Sequence, residues 1–288
     1  MRARGWLIGM LAATGCAYAQ EGGPGQTVVA DPHGEVSIVA VSGSVEVSGW
    51  DRSEVEVSSS DPSALHVTVN GNRVSVRARP GSNDRGLRLA VRVPAGSSLD
   101  LSTVSADVKV RGVVGAQWLH TVSGSLDAAL APADMEVKTI SGDLTLSGEH
   151  SGGRLTVSDV SGEVKLQGAS GTLEVTGTSG DLKIKLHDAQ QVRIRTTSGD
   201  VALSGSLAPH ASIDGETVSG DLSVKAKPAD GYRYELSSFS GDIENCFGQQ
   251  AVHTSQYAPG KRLDGTRGAG DGHVRLRSLS GTLTICDQ

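Results

Sequence analysis

The sequence is poor in the side chains that usually line catalytic pockets. Three Trp, four Tyr and two Phe are its only aromatic residues among 288, too few for the aromatic walls of a typical enzyme cleft. With nine Pro against 38 Gly, the chain is neither collagen-like nor a proline-rich disordered polymer. Basic residues number 26 against 32 acidic ones, a formal charge of −6, whereas a nucleic-acid binder needs a basic face. Three cysteines exclude a disulfide-dense scaffold. The eight histidines, at 33, 66, 120, 150, 187, 210, 253 and 273, lack the spacing of a zinc site. Neither a Gly-x-Ser-x-Gly elbow nor a Walker-type phosphate loop is present.

What the chain does have begins with a leader. Arg2 and Arg4 precede a short apolar run, Trp6 to Ala13, and Ala17-Tyr18-Ala19 has the small-x-small pattern of a signal-peptidase site. Residues 1–19 are expected to be a signal peptide cleaved after Ala19, leaving Gln20 first and exporting the protein to the periplasm or cell surface. Cys16, preceded by Gly15, offers a competing lipoprotein reading. No later stretch is apolar enough to span a membrane, so the mature chain is expected to have no transmembrane segment. Residues 20–33 read as a flexible linker. Export leaves two cysteines, Cys246 and Cys286, in an oxidising compartment.

The dominant signal is an internal repeat. Ser-Gly-acid recurs at Ser141-Gly142-Asp143, Ser161-Gly162-Glu163, Ser179-Gly180-Asp181, Ser198-Gly199-Asp200, Ser219-Gly220-Asp221 and Ser240-Gly241-Asp242. Variants stand at Ser42, Ser105, Ser123 and Ser280. Three and five residues after each serine lie aliphatic columns such as Leu144/Leu146, Val164/Leu166 and Leu182/Ile184. Between them the residues are polar or small. Period-two alternation is the mark of a half-buried strand. A second aliphatic pair precedes each motif, as in Leu155/Val157. Its parity differs, so the chain must bend at the glycine. No single repeat buries enough apolar surface to offset its own ordering entropy, so repeats must stack and share a core. The expectation is an all-β single-chain β-solenoid of about 18–21 residues per coil. Regular coils span 99–247, and 273–288 forms the last coil. Residues 34–98 read as an irregular antiparallel cap, with Asn70-Gly71 marking a hairpin. The polar, glycine-rich stretch 248–272 reads as a looped insert.

The segments GSVEVSGWDRSEVEV (43–57) and LAVRVPAGSSLDLSTVSADVKVRG (89–112), with the run of SGD corners, resemble a bacterial family known as domain of unknown function 4097 and labelled putative adhesins. The resemblance covers roughly 34–286. It implies an exported β-solenoid and carries no catalytic residues.

The acidic column Asp143, Glu163, Asp181, Asp200, Asp221 and Asp242 could in principle hold calcium. The expected role is structural: corner carboxylates that cap backbone N–H groups, with no metal and no cofactor. Five aromatics, Tyr232, Tyr234, Phe239, Phe247 and Tyr257, are expected to plug the C-terminal end. Cys246 and Cys286 each lie six residues after a motif serine, and 233–246 aligns with 273–286 without a gap. If 248–272 loops out, the two cysteines are neighbours about 5 Å apart and can bond. If it forms a full coil, the gap doubles and they cannot. The function expected is that of a non-enzymatic exported cell-envelope interaction or scaffold protein, adhesin-like, whose partner is an unknown envelope protein or glycan. The alternatives are a polysaccharide-active β-helix enzyme and a periplasmic component of envelope-stress signalling.

Overall fold

A computed structural model describes residues 25–79, 86–149, 152–228, 231–255 and 258–287. The leader, with Cys16, Ala19 and Gln20, lies outside the described residues. The described chain is all-β: one 3-10 turn, Pro62–Ala64, interrupts 22 strands that form one hydrogen-bonded network. No helix among the described residues is long and apolar enough to cross a membrane.

The alternation read from the sequence sets two parallel ladders. After each corner, Val108, Leu126, Leu144, Val164, Leu182, Val201 and Leu222 are successive Cα partners. Before each corner, Leu99, Gln117, Met135, Leu155, Leu173, Val192 and Ile213 are partners in the same way. Each repeat thus supplies one rung to each ladder, and the inward residues merge into one aliphatic core. The core is made almost wholly of Val, Leu, Ile and Ala, which explains how the chain manages with so few aromatics. A parallel rung repeats the same environment every ~4.8 Å, so one residue type fits a whole column.

Glycine is required at the corner because two backbones meet there. A Cβ on Gly142 would lie 2.1 Å from the Gly124 carbonyl oxygen, and one on Gly241 would lie 1.9 Å from that of Gly281. Real Cβ atoms do not approach so closely, so these positions admit only hydrogen, whereas the equivalent position after Ser105 holds Ala106. Gly142 also has φ +139°, a conformation that other residues avoid.

Both ends of the stack are built out of sequence order. At the C-terminal end, strand Gly272–Ser280 pairs with 212–219 on one side and with Gly231–Ser238 on the other. Strand Leu283–Asp287 likewise lies between Leu222–Pro228 and Ile243–Asn245. The last rungs in sequence are therefore the penultimate rungs in space, not the outermost as expected. The stretch 248–272 is no plain loop either. Val252–Ser255 and Ala258–Gly268 form an antiparallel pair, and the latter covers the free edge of Gly231–Ser238. An uncovered parallel edge would offer its backbone groups to other chains, which is the physical reason for such a cover.

The N-terminal end repeats the device. Strand Glu35–Trp50 lies between Arg73–Ala78 and Arg88–Pro94 on one side and Ser98–Arg111 on the other, all in parallel. The antiparallel pairing expected over 34–98 is confined to Glu54–Ser59 and Leu65–Asn70, the latter joined to its partner through Asn70-Gly71 as read. Part of the expected 20–33 linker is also ordered: Gly25–Val29 adds an antiparallel edge to Glu54–Ser59, a pairing its GQTVV alternation permits.

Cys246 and Cys286 are bonded, with Cα atoms 5.0 Å apart. Because of the inverted order, the bond ties the outermost rung to the one inside it. By the chain-entropy model, closing a loop of this length stabilises by about 4 kcal/mol.

The corner geometry yields a test. Gly142→Ala should destabilise by more than about 2 kcal/mol, since it adds both a backbone clash and a strained φ. Gly71→Ala should cost only about 1 kcal/mol, because a Cβ at Gly71 (φ +61°) meets nothing within 4 Å. Urea unfolding of the two variants beside the wild type measures the difference, and equal losses would remove the close approach as the reason for the glycine column.

Candidate functional site

Each residue of the Ser-Gly-Asp corner has its own physical task. Where the chain bends, backbone groups leave the ladder, and buried or half-buried polar groups need partners. The serine hydroxyl donates to the carbonyl of the residue before the motif in the preceding rung: Ser123 to Val104 at 3.2 Å and Ser161 to Ile140 at 3.2 Å. The acid accepts from the following rung. Asp143 Oδ1 takes the Glu163 N–H at 3.3 Å, Asp181 takes that of Asp200 at 3.2 Å, and Asp200 takes that of Asp221 at 3.0 Å. Asp221 then takes the N–H of Thr282 at 2.7 Å, which fits the inverted order of the last rungs. Asp242, on the outermost rung, has no rung beyond it and pairs with Lys261 instead. Glu163 differs: Lys165 and Lys183 both reach its carboxylate at 2.6 Å. Their hydrogen bonds hold its pKa down to about 2. Among the described residues, no three His, Cys, Asp or Glu side chains converge as a metal site.

Immediately before the corner serine lies a column that the sequence reading did not single out. Val41, Val104, Val122, Ile140, Val160, Val218, Leu279 and Phe239 each stand in that position and are between 38% and 59% exposed. In ladder order they form an aliphatic ridge along one corner of the stack, broken only at Thr178 and Thr197. The parity that buries the residues one, three and five places earlier, as with Thr139, Val137 and Met135 before Ile140, turns this position outward. The signal was present in the sequence as an apolar residue before nearly every motif serine.

Two places before the serine a polar column is buried inside the stack: Thr103, Thr121, Thr139, Asp159, Thr196, Thr217 and Ser278. Thr103 donates to Thr121 at 3.1 Å and Thr196 to the Ser198 carbonyl at 3.1 Å, whereas the Thr139, Thr217 and Ser278 hydroxyls are buried without a partner. Asp159 alone among these residues brings an ionisable group into the column. It lies between Thr139 and Gly177, is 3% exposed, and neither carboxylate oxygen has a hydrogen-bond partner. Burial is the main cause that raises its pKa to about 6; the nearby Val160 N–H, too poorly placed for a proper hydrogen bond, acts in the opposite direction.

The aromatic plug is smaller than expected. Tyr232 and Tyr234 are buried, with ring centroids 6.2 Å apart, and Phe247 packs on Tyr234 at 5.7 Å. The Tyr232 hydroxyl donates to Asp287 at 2.7 Å, and Arg267 clamps the same carboxylate at 2.7 Å. Burial above all, with that bond, raises the Tyr232 pKa. Phe239 is not in the plug. It is 59% exposed because it occupies the outward position before Ser240. Tyr257 lies outside the described residues.

Asp159 gives a prediction with a definite sign. Its folded pKa of about 6 exceeds the ordinary value of 3.8, so between those pH values the native state holds a proton that the unfolded chain has lost. Its contribution therefore falls as pH rises through that window and is fully unfavourable above it. Asp159→Thr, which restores the column's residue, should stabilise by up to about 3 kcal/mol at pH 7.5. The gain should shrink towards pH 4. Chemical denaturation at the two pH values checks this, and a pH-independent difference would contradict it.

The comparisons with known proteins can now be placed beside this geometry. A family model described as Toastrack DUF4097 matches residues 33–286. No curated protein matches the chain. Among solved structures, a putative adhesin from Bacteroides fragilis NCTC 9343 is 11% identical, with 92% of this chain and 96% of that one covered and a TM-score of 0.46. A putative lipid binding protein from Parabacteroides distasonis ATCC 8503 is 12% identical over 91% and 95% of the two chains, with a TM-score of 0.43. The family match spans nearly the whole described stack, from the first parallel rung to the disulfide, and the chain belongs to the Toastrack DUF4097 family.

Proposed function

We propose that the chain is an exported, non-enzymatic interaction or scaffold protein of the cell envelope, adhesin-like, built as a β-solenoid whose two ladders enclose a common aliphatic core. Its partner is an envelope protein or glycan. The observation that carries this reading is the ridge. A row of solvent-facing apolar residues, interrupted only at Thr178 and Thr197, is costly to keep on a protein that binds nothing, and exposed apolar surface of this kind marks interaction sites. The rigid stack holds the row at fixed spacing, which suits it to recognition rather than to chemistry. Export is supported by the Cys246–Cys286 bond, since such bonds persist in oxidising compartments. The acidic column serves the corners in this reading, each carboxylate satisfying the next rung.

A ridge variant tests it. Val122→Ser, Ile140→Ser and Val160→Ser together should abolish capture of the partner from an envelope extract. Stability should stay within about 1 kcal/mol, because exposed positions tolerate polar residues. Quantitative affinity capture with wild type and variant side by side is the measurement. Undiminished capture by a folded variant would contradict the ridge as the binding surface.

A further inference from the structure

A second surface lies on the outer face of the pre-corner ladder, near its N-terminal end. There an open concavity of about 530 Å³ is lined by His33, Glu35, Asn72, Asp100, Trp118 and His120. That volume is within the range of small-molecule sites. Trp118 occupies the rung between Asp100 and Glu136, each its direct Cα partner. The two carboxylate-bearing residues therefore stand about 4.8 Å to either side along the column.

Trp118 contrasts with Trp50. The Trp50 indole N–H donates to the Glu54 carbonyl at 2.8 Å, and the Arg52 and Arg92 guanidinium groups lie 5.1 and 5.8 Å from its ring. Trp50 is thus engaged in holding its own corner of the fold. Trp118 is 40% exposed and has no hydrogen-bond, cation–π or ring partner among the described residues. His120 is also incomplete: its Nε2 is covered from solvent and lacks a partner. A large flat apolar face and a half-buried imidazole therefore line one concavity.

We propose that this concavity binds a neutral carbohydrate, with a pyranose ring laid against Trp118. The wall chemistry selects that class. Asp100 only accepts hydrogen bonds when ionised, whereas the amide of Asn72 and the two imidazoles both donate and accept. Hydroxyl groups, which do both, can satisfy such a mixture. A purely apolar ligand would strip water from these groups and leave them unpaired. An anion would face Asp100, and a simple cation would find the Glu35 carboxylate already neutralised by Arg73. A sugar ring alone offers an apolar C–H face for the indole together with peripheral hydroxyls. The concavity is open to solvent, so an internal unit of a longer glycan can occupy it. The inference deepens the interaction reading but uses a surface separate from the ridge.

Isothermal titration of the purified protein with cellohexaose, chitohexaose and an α-linked mannohexaose tests the proposal, with choline and inorganic phosphate as charged controls. At least one hexasaccharide should bind more tightly than either control. Trp118→Ala should weaken that binding by at least about tenfold without lowering the melting temperature, since the side chain is exposed. Trp118→Phe should retain part of it. Should Trp118→Ala fail to fold, Asp100→Asn should weaken the same binding. An Ile140→Ser ridge variant should bind the saccharide as the wild type does, which separates this site from the ridge. No saccharide binding at millimolar concentration, binding indifferent to both site variants, or preference for choline or phosphate would overturn the proposal.

Discussion

The close passage of backbone over backbone at the Ser-Gly corner governs the rest of the molecule. Only hydrogen fits between successive glycines, and that contact fixes the vertical spacing of the rungs from Gly124 onward. With the spacing set, the serine below and the acid above can reach the backbone groups that the bend removes from the ladders. The corner is therefore a self-complementary unit: serine hydroxyl to the preceding carbonyl, glycine for clearance, acid to the following N–H. The aliphatic columns then follow, because parallel rungs at fixed height place like residues over like. The same parity turns one apolar column outward as a ridge.

Parts of this were legible in the sequence and parts were not. Alternation names which residues face inward, so the core columns through Leu144, Val164 and Leu182 could be read directly, as could the Asn70-Gly71 hairpin. Periodicity says nothing, however, about which rung lies next to which. Residues 233–246 and 273–286 carry the same pattern, and either order would bury the same side chains and bring Cys246 beside Cys286. The structure chooses the inverted order, in which the antiparallel strand Ala258–Gly268 covers the remaining edge. The parallel role of Glu35–Trp50 was hidden for the same reason: its partners at 73–78 and 98–111 lie far along the chain.

The surfaces were harder still. A valine before a serine reads as one more apolar residue until the bend is placed, and only then is it seen to face solvent. Phe239 was assigned to the plug on proximity in sequence, whereas parity put it on the ridge. Nothing in the sequence sets Trp118 apart, because its neighbours His33, Asn72 and Asp100 come from elsewhere along the chain. Asp159 stands in a threonine column whose existence depends on the same three-dimensional stacking. In each case the side chain was visible and its environment was not.

The claim most exposed to test is that both ends of the stack are threaded out of order, with Glu35–Trp50 and Leu283–Asp287 as interior rungs. Native-state amide hydrogen exchange addresses it directly, because interior rungs open only with the global unfolding while edges open locally. The account predicts that amides of 283–287 and 35–48 are as protected as those of 164–167 and 182–186, and that Val252–Ser255 and Leu65–Asn70 exchange first. Rapid exchange across 283–287, with full protection of 243–245, would place the C-terminal strand at the outer edge and contradict it.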